Sequence, residues 1–175
     1  MTFASTPDLR ARFLAGMARA ATTVSVVATD GPAGRFGLTV SAMTSVAADG
    51  DDGYPTLLVC IHQASPVARA IADNGAFSVN VLGDDQSDLS DRFAGRITVP
   101  GGDRFAGIAL AEGVTGCPRL VHARATFDCR VASATLVGTH HIFIGAVAAV
   151  HVGTEAGLPL VYSERTYCRP APLAA

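Results

Sequence analysis

The spacing of apolar residues changes along the chain, and each change marks an element. Leu9, Phe13, Leu14 and Met17 recur at helical intervals behind Thr6-Pro7-Asp8. Thr6 suits an N-cap and Pro7 the first helical position, so the pattern predicts a helix to about Ala20 that lays one face on the core. From Thr22 the texture turns β-branched, and Val24 to Thr29 predicts a strand stopped by the turn Asp30-Gly31-Pro32. Gly34 to Gly37 connects it to a returning strand, Gly37 to Val46, so that the two form a hairpin. In that second strand Leu38, Val40, Ala42 and Val46 fall on one face and Thr39, Ser41 and Ser45 on the other.

Thr56 to His62 is too apolar for an exposed edge and predicts a central strand with an accessible His62 at its end. Ser65 to Gly75 reads as a helix, with Ser65 as cap, Pro66 in the first turn and Gly75 as the stop. Phe77 to Leu82 alternates as a half-buried strand, and Gln86 to Phe93 as a short helix ending at Ala94-Gly95. Arg96 to Gly116 is Gly-rich and irregular, the texture of a lid or an interface arm. Two long strands follow, His122 to Val137 and His140 to Val152, joined at Gly138-Thr139, and then a short one from Leu158 to Tyr162. Runs of strands separated by three short helices predict a barrel rather than a parallel sheet, with no internal repeat.

Composition narrows this picture. A length of 175 residues suits a single domain over 1–175, and 49% hydrophobic with 16% charged residues excludes a disordered chain. A net charge of -2 gives no footprint for nucleic acid or an anionic membrane. The mean hydropathy of +0.35 is high for a monomer and predicts a homodimer. No apolar run reaches the roughly 18 residues of a membrane span, and no signal-like segment opens the chain, so a cytoplasmic location is expected. All 13 basic residues are Arg, which excludes Schiff-base chemistry and any phosphate loop built on Lys. Cys60, Cys117, Cys129 and Cys168 form no C-x-x-C pair and read as reduced thiols, three of them in apolar surroundings. The acidic run Asp49 to Gly53 lacks the ligand spacing of a calcium loop and reads as a turn.

Two features carry chemistry. The hydroxyl row Thr39, Ser41 and Ser45 offers small donors and acceptors that admit a ligand close to the backbone; the alternative is an edge strand facing water. The helix start at Ser65 presents free N–H groups and the positive dipole end directly after a strand, a phosphate site without Lys, although many helices begin this way and bind nothing. No nucleophile–base pair or pair of carboxylates stands out.

Five blocks, G-L-T-V-S-A-M-T-S-V at 37–46, L-V-C-I-H-Q-A-S-P at 58–66, F-S-V-N-V-L at 77–82, R-F-A-G at 92–95 and G-T-H-H-I-F-I-G at 138–145, resemble the short-chain NAD(P)H:flavin reductases. These are reductase components of two-component flavin monooxygenases, with the cobyrinate diamide reductases as relatives. The resemblance runs from about Phe13 to Tyr167, with all blocks in the family's order. It implies a homodimeric split β-barrel, mainly β with short helices, that binds FMN or FAD and takes hydride from NADH or NADPH.

By match to the blocks, Thr39, Val40, Ser41 and Ala42 would line the ring and ribityl chain with Ser45 close by. Cys60, Ile61 and His62 would flank them, Ser65 would take phosphate, and Phe93, Ala94 and Gly95 would close over the ring or the adenylate half. His140 would lie near the nicotinamide, contacting its amide or passing a proton; Thr139 stands where the family usually has Asp. An ordinary strand-end histidine is the alternative. His141 points to the other face, which argues against a chelate of the two, while His122 and His151 read as structural or exposed. Arg165, in an R-x-Y ending with Tyr167, would hold a phosphate or pair with Glu164 or Glu155. The implied activity is a flavin reductase that releases reduced flavin to a partner oxygenase. The alternatives are a flavoprotein with tightly held FMN that reduces another acceptor, such as a cobalt corrinoid, and a non-catalytic flavin-binding protein.

Overall fold

The computed structural model describes residues 6–49, 53–154 and 157–173. Helix α1 (Pro7–Arg19) leads to strands β1 (Thr22–Thr23), β2 (Ser25–Thr29), β3 (Phe36–Val40), β4 (Met43–Ala47) and β5 (Thr56–His62). Helix α2 (Pro66–Asn74), β6 (Ala76–Val81) and α3 (Ser87–Phe93) follow, then the short β7 (Leu110–Glu112) and β8 (Pro118–Leu120). The long pair β9 (Ala125–Val137) and β10 (His140–Val152) precedes β11 (Val161–Ser163) and β12 (Thr166–Cys168).

Seven strands form one antiparallel sheet in the order β3-β2-β6-β9-β10-β5-β4. The expected hairpin is β2 with β3, in register Ser25↔Val40. The single strand expected from Gly37 to Val46 is instead two, broken at Ser41-Ala42. Its halves pair at opposite ends of the sheet, β3 with β2 and β4 with β5. Two edges joined by two residues force the sheet to curl, and the N–H of Cys60 donates to the Ala42 carbonyl at 3.1 Å across the join. The fold is thus mainly β with three short helices among the described residues, and the curl is compatible with the split barrel that the family blocks imply.

Inside the curl, Val27, Val40, Val59, Ile61, Phe77, Val79 and Phe143 pack with Val67, Ala68 and Ile71 of α2. Gly145 lets β10 run close beside Phe77, since a Cβ there would stand 2.6 Å from its ring. A second cluster covers the outer side of β2, with Val24, Val26 and Ala28 against Leu82, Phe93, Phe105 and Leu120. Hence the strand at Phe77–Leu82 is buried on both faces rather than half-buried. The segment 96–116, expected as a lid or interface arm, lies with the residues that follow it to Leu120 over that outer face, where β7 and β8 pair. Ser78 and Asn80 remain polar there because they are bonded: Ser78 Oγ donates to the Pro118 carbonyl, and Asn80 Oδ1 accepts from the N–H of Leu120 at 2.9 Å.

Three further expectations change. Helix α1 forms where predicted, but none of its residues is buried: Phe13 stays 63% and Met17 51% exposed, so its apolar face meets no core of this chain. The first long strand starts at Ala125 rather than His122, because residues 121–124 turn. The final strand begins at Val161 and turns through Glu164 and Arg165, both at positive φ, into β12. The acidic turn from Asp49 lies in part outside the described residues.

Candidate functional site

Where β3 ends, Thr39, Val40 and Ser41 line a hollow of about 150 Å³ together with Ser90, Ala94, Arg96, Tyr162 and Tyr167. Thr39 uses its hydroxyl locally, donating to the Ser90 carbonyl at 2.7 Å and tying β3 to α3. Ser41 is exposed at the rim. The opposite wall is a polar network. The Tyr167 hydroxyl donates to Asp91 at 2.6 Å and lies 2.9 Å from Ser90 Oγ, and Arg96 reaches Asp91 at 2.9 Å and Tyr167 at 3.2 Å. The Arg96 guanidinium also lies 5.9 Å from each of the Tyr162 and Tyr167 ring centres, within cation–π range.

Titration follows these contacts. The hydrogen bond from Tyr167, and then Arg96, hold the Asp91 carboxyl below its usual range. Burial and the bond to Asp91 push the Tyr167 phenol up, and Asp91 raises Arg96 further.

A second group sits where β5 meets β10. His62 and His140 are register partners, with ring centres 5.0 Å apart and planes at 82°. Thr139 Oγ1 lies 3.0 Å from His140 Nδ1, so the residue in the place of the family's Asp still engages that nitrogen. His62 Nδ1 accepts from the N–H of Ala64 at 3.1 Å. Cys60 shares the outward face with His62, whereas Ile61 points inward and is 1% exposed, leaving only its backbone for a ligand. The Ala42 carbonyl, through Cys60, links this strip to the end of β3.

Other expected residues lie apart. Ser65 caps α2, accepting from the N–H of Val67 at 3.3 Å, and borders a hollow of about 390 Å³ with Arg35, Gly37 and Arg104. Ser45 borders an apolar hollow of about 320 Å³ with Met43, Leu57 and Phe127. Phe93 is fully buried, stacked edge-on to Phe105 at 4.9 Å, so it supports the wall from behind while Ala94 lines it. Gly95 turns the chain at φ 75. Glu164 pairs with Arg19 at 3.9 Å, both exposed, and Glu155 lies outside the described residues. All four thiols are free; Cys117 and Cys129 are buried, with Cys129 pushed up to about 12 by burial, whereas Cys168 is exposed.

Ser90, Asp91, Arg96 and Tyr162 were not singled out by the sequence. Asp91 and Tyr167 meet across 76 positions, and no local pattern signals such a contact.

Comparison with known proteins bears on this arrangement. Residues 17–171 match the family model described as flavin reductase like domain. The FMN reductase (NADH) RutF of Stutzerimonas stutzeri is 40% identical over 163 residues, covering 93% of this chain and 90% of that protein. A flavin reductase domain protein from an Arthrobacter species superposes with a TM-score of 0.83 at 25% identity, covering 95% of this chain and 98% of the other. BorF, the flavin reductase component of a bacterial two-component tryptophan halogenase, does so at 0.79 and 28% identity, covering 91% and 97%.

Proposed function

The chain belongs to the flavin reductase like domain family, and from that premise we propose that it is an NADH-dependent FMN reductase supplying reduced flavin to a partner oxygenase. The observation that carries this reading is the convergence of Thr39, Val40, Ser41 and Ala94 on one hollow, next to the Ser41-Ala42 step that joins the two sheet edges. The donor set fits a flavin nucleotide. Ser41 and Ala42 fall between strands and offer backbone and hydroxyl to a polar ring edge and ribityl chain, and Arg96 offers a cation to an anionic group.

A bound flavin would supply the hydride acceptor and a nicotinamide the donor, so the reactivity would come from the nucleotides. The chain's task is to hold the two rings together and keep water out. In this reading Thr39 to Ala42 would hold the ring and ribityl chain, Cys60, the Ile61 backbone and His62 would flank them, and Ala94 and Gly95, supported from behind by Phe93, would form the other side, with Ser45 further off. Ser65 and the α2 N-terminus favour a phosphate. Thr139 occupies His140 Nδ1, which leaves Nε2 to meet the nicotinamide amide.

The exposed apolar faces of α1 (Leu9, Phe13, Met17) and of the β9–β10 hairpin (Leu136, Val137, Val150, Val152) support a homodimer. No helix among the described residues is long and apolar enough to cross a membrane.

The test is NADH oxidation by the purified protein with no flavin, with FMN and with FAD, beside His140→Ala. Turnover that requires added FMN and drops about 10-fold or more in the variant is expected. NADH left untouched with either flavin overturns the proposal.

A further inference from the structure

At the end of β5, His62 Nδ1 accepts from the N–H of Ala64 at 3.1 Å. A nitrogen that accepts carries no proton, so the neutral His62 ring bears its proton on Nε2. At the start of β10, His140 Nδ1 lies 3.0 Å from Thr139 Oγ1. The two histidines are register partners of the antiparallel pair and share one face of the sheet; their rings stand 5.0 Å apart, edge to face at 82°. The segments that carry them are tied as well, since the N–H of Gln63 donates to the Thr139 carbonyl at 2.9 Å. These contacts close a circuit from Ala64 through both rings and Thr139 back to Gln63. The next pair in register on this face is Cys60 with Ile142, and neither strand carries an acidic or Arg side chain. Packing and hydrogen bonds, rather than an ion pair, therefore hold the two rings.

Both side chains are exposed, and an exposed imidazole ordinarily changes rotamer freely. The contact with Thr139 fixes one edge of the His140 ring but leaves the ring able to swing about it. The His62 ring, itself anchored on Ala64, stands against that swing and supplies the plane. We propose that His62 is a positioning residue for the hydride-transfer step: its ring sets the plane of His140, so that His140 Nε2 is presented to the nicotinamide in one direction. The inference rests on the flavin reductase reading above. It gives His62 a role other than the flavin flank that the family blocks imply, because His62 acts through a second side chain.

The experiment compares wild type with His62→Ala, His62→Phe and His62→Asn, and repeats His62→Ala in the His140→Ala background. Phe keeps an edge-on ring but cannot bond Ala64; Asn offers Oδ1 to the N–H of Ala64 but brings no ring. Kinetics with NADH and FMN give kcat and KM, and long-range proton–nitrogen correlation spectra of the imidazoles report the His140 ring without turnover. His62→Ala is expected to lower kcat/KM for NADH by about 3-fold or more, with most of the loss recovered in His62→Phe and not in His62→Asn. With His140 already Ala, the same substitution is expected to cost less than about 2-fold. The His140 ring signals are expected to move in His62→Ala and His62→Asn and to return toward wild type in His62→Phe. A loss that persists in full without His140 shows direct contact with a nucleotide and overturns the proposal. Recovery by Asn rather than Phe, which assigns the effect to loop order, or no loss at all, overturns it too. The two readings fail separately: if wild type leaves NADH untouched, the reductase reading falls, and the spectra alone decide whether His62 orients His140, with unchanged His140 signals in His62→Ala overturning it.

Discussion

Helices α1 and α2 are started by the same local signals. Thr6 and Ser65 each accept from a backbone N–H in the first turn, and each is followed by a proline. Both helices carry apolar residues at helical spacing. Yet α2 buries Val67, Ala68, Ala70 and Ile71, while α1 buries nothing. The difference lies in what the chain places opposite them. Helix α2 sits between β5 and β6 in sequence and is drawn into the interior of the curled sheet, where Ile71 joins the cluster around Phe77 and Phe143. Helix α1 precedes the sheet and meets its own chain through the N–H of Glu164, which donates to the Ala18 carbonyl, and through the exposed pair of Arg19 with Glu164. Periodicity therefore specifies that a helix has an apolar face, not whether the rest of the chain covers it.

Substitutions on the two helices sharpen this contrast. Ile71→Ala opens a cavity in the interior and is expected to lower unfolding free energy by about 2–5 kcal/mol in urea denaturation; a change below about 1 kcal/mol breaks the claim that α2 is core. Ser65→Ala removes the cap of the buried helix and is expected to cost about 1 kcal/mol in the same assay. Phe13→Ser combined with Met17→Ser is expected to move the unfolding of the isolated chain by no more than about 0.5 kcal/mol, and to shift sedimentation from dimer toward monomer. A dimer that persists in this variant means that α1 does not form the interface. Thr6→Ala has the smallest expected effect. Its cap loss frays a helix that buries no residue in its own chain, so amide exchange in α1 quickens while the global transition stays in place.

What the sequence determined by itself was local. The caps, the turn at Gly138-Thr139, the three helices and most strand positions follow from residue type and spacing, because backbone preference and amphipathic period act over a few residues. The hydroxyl row at Thr39 and Ser41 was legible in the same way, as were the family blocks around it. Three matters needed the tertiary structure. The break at Ser41-Ala42 arises because the chain passes there from one edge of the sheet to the other, and an uninterrupted strand pattern gives no sign of that. Burial of Phe93 and of both faces of β6 follows from the segment 96–120 folding over β2, a packing choice that no window of sequence contains. The wall of Asp91, Arg96 and Tyr167 joins α3 to the last strand across 76 positions, and a contact between such distant segments is set by the path of the whole chain, not by the residues on either side of it.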